Sequence, residues 1–162
     1  MRIIITLFAL LFSLTTYSQI DGGTMIAGGG ASFNTNIPKE GETSSTLSLT
    51  PQFGLAFADN FVAGAWFQFQ SASSFRGVSI APFLRYYMNN FFLQAGYGYS
   101  YNKVGDFAAE SGSIVDLEFG YAAFLNDNVA LEPALYYNAN FFDGYTGSDL
   151  GIKLGFQIYF NR

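Results

Sequence analysis

Apolar and polar residues alternate along most of the chain. Near its end Leu150, Ile152, Leu154, Phe156, Ile158 and Phe160 interleave with Asp149, Gly151, Lys153, Gly155, Gln157 and Tyr159. One face is large and apolar and the other is mostly small or polar, a period of two that fits a β-strand and no helix stripe. The pattern recurs at Leu47, Leu49, Pro51, Phe53, Leu55 and Phe57, and again at Phe91, Leu93, Ala95, Tyr97, Tyr99 and Tyr101. Tight polar breaks at Asp59-Asn60, Asn89-Asn90 and Asn126-Asp127-Asn128 each precede an apolar residue, as hairpin turns do. Longer breaks alternate with them: Asn34 to Thr43, Ser71 to Arg76, Asn102 to Ser111 and Phe142 to Ser148. The division predicts eight strands, at about 24–33, 44–58, 61–70, 77–88, 91–101, 113–125, 129–141 and 149–160. Gly28, Gly29 and Gly30 make the first the least regular.

The start of the chain follows another rule. After Met1 and Arg2, the run from Ile3 to Leu14 is broken only by Thr6 and Ser13. It is too short for a membrane-spanning helix, which needs about 20 apolar residues, and has the length of a signal-peptide core. Thr16 and Ser18 are small enough for the cleavage pockets, so residues 1–18 read as a cleaved signal peptide and 19–162 as one barrel domain. A buried N-terminal helix is the competing reading, but nothing downstream is helical enough to pack it.

Eight antiparallel strands behind a signal peptide leave a soluble lipocalin-like barrel or a barrel in an outer membrane. Charge placement separates them. Only 12% of residues are charged, against about 25% in ordinary soluble domains. The polar faces hold mainly Gly, Ala, Ser and Gln, a poor coat for water but a good filling for a narrow barrel. The apolar faces carry no charge in any predicted strand, as hydrocarbon requires. Phe57, Phe61, Tyr86 and Phe91 near the short turns, and Phe69, Tyr99, Tyr101 and Tyr137 near the longer breaks, fall where two aromatic girdles belong. The expected fold is therefore an all-β, eight-stranded, antiparallel, up-and-down transmembrane barrel. Gly64-Ala65-Trp66 matches the lipocalin glycine-x-tryptophan, but in the third strand rather than the first.

The composition narrows the chemistry. With no cysteine there is no disulfide, thiolate metal site or lipidated cysteine, and with no histidine the usual triads, general bases and zinc sites are missing. No nucleophile has a base beside it, so the chain reads as a non-enzyme without cofactor or metal. The formal charge is −5, which argues against a nucleic-acid partner.

The chain resembles the small eight-stranded outer-membrane β-barrels of OmpA/OmpX type, grouped as porin-like outer-membrane barrel domains, over its whole mature length. The resemblance is most specific at the C-terminus, where Lys153, Gly155, Ile158 and Phe160 fit the family's assembly signal of polar, x, glycine, x, x, hydrophobic, x, aromatic. It implies export to a Gram-negative cell envelope, recognition by the barrel-assembly machinery and contact with outer-membrane lipid and lipopolysaccharide. An even strand number places both termini in the periplasm and the longer loops outside the cell.

Five charges fall on the inward faces: Arg85, Asp116, Glu118, Glu132 and Lys153. Desolvated charges have to pair, so Arg85 and Lys153 are expected to be held by the three carboxylates in a network that plugs the lumen. A catalytic pair or proton path is the sharper alternative. The longer breaks carry Lys39, Glu40, Glu42, Arg76, Lys103, Asp106, Glu110, Asp143 and Asp149, a solvated face or else a surface for recognition with Phe107 and Tyr145 as contacts. The expected function is a non-catalytic, monomeric outer-membrane barrel with a structural or surface role. A narrow pore or small-solute or ion transporter of porin-like type is the alternative, with a secreted lipocalin-like carrier behind it.

Overall fold

The computed structural model describes residues 20–36, 44–71, 75–104, 110–143 and 145–162. The signal segment 1–18 and the loop residues Lys39, Glu40, Glu42, Asp106 and Phe107 lie outside the described residues. Among the described residues nine strands form: β1 (Met25–Asn36), β2 (Ser44–Ala58), β3 (Phe61–Ser71), β4 (Phe75–Met88), β5 (Phe91–Val104), β6 (Glu110–Tyr121), β7 (Ala123–Asn126), β8 (Val129–Phe142) and β9 (Tyr145–Phe160). Every pairing is antiparallel. The sheet runs β6-β5-β4-β3-β2-β1-β9-β8-β7, and β6 also pairs with β8, which closes it on itself. The β1–β9 seam joins the first strand to the last, from Met25 opposite Phe160 to Ser32 opposite Lys153. Closure pairs the backbone without leaving a sheet edge.

Strands β6 and β7 are one stave broken at Ala122, so the barrel has eight staves. The break departs from the uninterrupted strand expected at 113–125, and its cause lies in the neighbouring turn. Ala122 donates its N–H to the Asn90 carbonyl at 2.7 Å and accepts from Asn90 Nδ2 at 3.1 Å. The same clamp recurs at Asn128, whose carbonyl accepts from Tyr159 N at 2.7 Å while its Nδ2 donates to the Tyr159 carbonyl at 2.8 Å. An asparagine side chain presents an amide of backbone type, so Asn90 and Asn128 each add one more rung to the barrel. Asn60 does this toward the chain start, exchanging bonds with Ile20 through its own N–H and Oδ1. Its φ of 65° is a left-handed conformation that asparagine tolerates.

The opposite end is also longer than expected. The breaks read as Ser71 to Arg76, Asn102 to Ser111 and Phe142 to Ser148 are partly strand, which takes Arg76, Lys103, Glu110 and Asp149 out of loops and into staves. The last break shrinks to two residues, since Phe142 pairs with Tyr145. That pairing ends the regular alternation of short and long connections.

Facing follows the alternation. In β4, Ile80, Pro82, Leu84, Tyr86 and Met88 point outward and Ala81, Phe83, Arg85 and Tyr87 inward. The outer surface is apolar to a degree no water-facing surface needs, with Leu84 61% and Leu150 73% exposed. Inside, bulky residues sit opposite glycines on the next stave: Phe92 opposite Gly120, Tyr136 opposite Gly151, Glu132 opposite Gly155 and Phe83 opposite Gly64. A methyl group on Gly120 would lie 2.3 Å from the Phe92 ring, and one on Gly151 2.6 Å from the Tyr136 hydroxyl. The glycines are the seats that let large side chains cross so narrow a bore.

Candidate functional site

Inward residues change character along the barrel axis. At the short-turn end Ile26, Ala56, Val62, Phe92, Phe124 and Ala130 make a buried apolar layer. Toward the other end Ser32, Ser48, Thr50, Ser79, Ser100 and Asn138 take the inward positions and stay buried. The five inward charges lie between these zones.

Arg85 sits at the base of the charged layer. Its Nη1 is 2.8 Å from Glu132 Oε2 and donates to the Tyr87 hydroxyl at 3.0 Å, while its Nε donates to Gln94 Oε1 at 2.8 Å. The Tyr159 hydroxyl donates to Glu132 Oε1 and lies 3.0 Å from the Tyr87 hydroxyl. Arg85, Glu132, Tyr159 and Tyr87 thus close a ring of hydrogen bonds across the lumen, drawn from β4, β8 and β9. The guanidinium also covers the Phe92 ring at 4.1 Å, a cation–π contact that strengthens when water is excluded. Beside this ring Gln52 Nε2 donates to Gln157 Oε1 at 2.8 Å.

Lys153 Nζ forms the second ion pair, with Glu118 Oε1. Asp116, two residues before Glu118 on β6, makes no ion pair, and its Oδ1 has no hydrogen-bond partner. The structure therefore brings the two cations to two of the three carboxylates and leaves Asp116 beside them. Of the residues matching the assembly signal, Lys153 and Gly155 face the lumen and Phe160 faces outward.

Tyr87, Tyr159 and Gln94 were not singled out from the sequence, though each has the parity of an inward residue. Tyr87 is two positions from Arg85, and Tyr159 is six from Lys153. What the pattern lacks is the stagger between staves, which decides that Tyr159 reaches Glu132.

Among solved structures, the chain is similar to the outer membrane protein Ail of Yersinia pestis in a phospholipid bilayer nanodisc, with a TM-score of 0.55 at 12% identity over 86% of this chain and 100% of that one. It is also similar to Neisserial surface protein A, with a TM-score of 0.58 at 12% identity over 88% and 99%. The fold is that of the small eight-stranded outer-membrane β-barrels. No protein-family model and no curated protein sequence matches the chain. Within this eight-stranded barrel fold, an outer wall whose charges, Arg76 and Lys103, sit only at the stave ends, and the ion-paired lumen, are the features to be explained by function.

Proposed function

We propose that the chain is a non-catalytic outer-membrane β-barrel with a structural or surface role and a lumen closed by its own side chains. One observation carries the reading: the buried ring of Arg85, Glu132, Tyr159 and Tyr87 spans the bore above an apolar layer. An eight-stave interior is just wide enough to be filled by side chains. The outer wall supports a membrane setting, because its exposed residues from Val78 to Met88 on β4, Phe91 to Tyr101 on β5 and Leu150 to Phe160 on β9 are uncharged. In this reading the asparagine turns and both ends of the barrel domain face the periplasm, and the loops meet lipopolysaccharide. The barrel is a monomer, inserted by the assembly machinery through the C-terminal strand.

The test joins fractionation, gel mobility and conductance. Expressed protein is expected in the outer-membrane fraction, to change mobility on boiling, and to give no stable large conductance in planar bilayers. A soluble protein with one mobility would overturn the membrane reading. Stable large conductance would overturn the closed lumen in favour of a narrow pore.

A further inference from the structure

Above the arginine ring, the lumen holds a small polar cavity whose lining includes Trp66, Gln68, Asp116, Glu118 and Lys153, with free space of about 10 Å³. Four buried polar atoms of its lining residues make no hydrogen bond within the protein: Trp66 Nε1, Gln68 Oε1, Asp116 Oδ1 and Glu118 Oε2. One is a donor and three are acceptors. Leaving such groups unpaired in a protein interior is costly.

We propose that this cavity binds one water molecule, held by the Trp66 indole N–H and by the Asp116 carboxylate with Gln68 or Glu118. The size fits, since about 10–15 Å³ of such space accommodates one water. The donor count also selects water. A bare cation would satisfy the three oxygens but face the indole N–H, whereas water accepts from the indole and donates twice. Gly96 supports the placement. A methyl group there would lie 2.9 Å from Trp66 Nε1, 3.2 Å from the Pro82 carbonyl oxygen and 3.7 Å from Asp116 Oδ1, so the indole and the carboxylate converge over a residue with no side chain.

The site rests on the closed-lumen reading.

Trp66 is the single tryptophan, so a nitrogen-15-labelled sample of the protein in detergent micelles shows one indole N–H resonance. A cross-peak between that proton and water, with the sign of a long-lived bound molecule, is expected. In Asp116→Leu, which fills the space with methyl groups, the cross-peak should fall severalfold while the boiling-dependent gel shift persists. An indole proton with cross-peaks to protein protons alone would overturn the site, and so would a water cross-peak unchanged in Asp116→Leu. Should that variant fail to fold, the wild-type spectrum decides, with Gln68→Leu as the second variant. Conductance of the same preparation separates the two readings: large conductance removes the closed lumen, and a missing water cross-peak removes only the site.

Discussion

Arg85 and Glu132 meet across the lumen from β4 and β8 with 2.8 Å between Nη1 and Oε2, and the two side chains keep only 1% and 3% of their exposure. Breaking such a buried pair from one side leaves a charge with no partner, at about 3–5 kcal/mol. Glu132→Ala should therefore lower the unfolding free energy by that order, measured by urea titration in lipid vesicles. Replacing both residues by apolar ones of similar volume should recover most of the loss. A double variant as unstable as the single one would show that the ring's remaining hydrogen bonds carry the stability.

The two acids of β6 should respond in opposite directions. Glu118→Gln strands Lys153 and is expected to destabilise by several kcal/mol. Asp116→Asn removes a carboxylate without an ion-pair partner and should be neutral or stabilising. Denaturant midpoints of the two variants check this. A larger loss in Asp116→Asn would make Asp116 the principal anchor of the cations.

An outward arginine tests the setting of the wall. Ala65 lies midway along β3 between the outward rings of Phe61 and Phe69 and points away from the lumen. In hydrocarbon, Ala65→Arg should cost about 2–4 kcal/mol. The same change on a water-facing wall should stay within about 0.5 kcal/mol. Folding free energies in vesicles distinguish the two.

The asparagine clamps give a local prediction. Asn90→Leu removes a donor from the Ala122 carbonyl in a buried setting, and a buried polar group left unsatisfied costs about 1–3 kcal/mol. Amide hydrogen exchange should quicken at Ala122 and leave the β1–β9 seam unchanged. Asn128→Leu should quicken exchange at Tyr159 instead.

The barrel was largely legible because its rule is local. Parity alone placed Arg85, Glu118, Glu132 and Lys153 inside and Leu150, Leu154 and Phe156 outside, and the turns at Asn60, Asn89-Asn90 and Asn128 fixed the stave ends. Two features escaped. The break at Ala122 depends on hydrogen bonds from a turn 32 residues away, and the Ala122-Ala123 sequence carries no punctuation. The pairing of Phe142 with Tyr145 was hidden among polar residues that look like a loop whether or not their backbones pair. Within the lumen, sequence named the two cations and the three carboxylates as one group but not which cation meets which carboxylate, because which side chains share a level depends on the stagger accumulated around the whole circumference.

Seating each large luminal side chain against a glycine makes volume a shared property of neighbouring staves. Phe92 and Gly120, or Tyr136 and Gly151, are each half of one occupied space. A bulkier residue at either glycine is tolerated only if its neighbour shrinks, so substitutions inside this barrel should travel in complementary pairs. The lumen would widen only where both members of a pair become small together, giving a narrow evolutionary route from a filled cylinder to an open one.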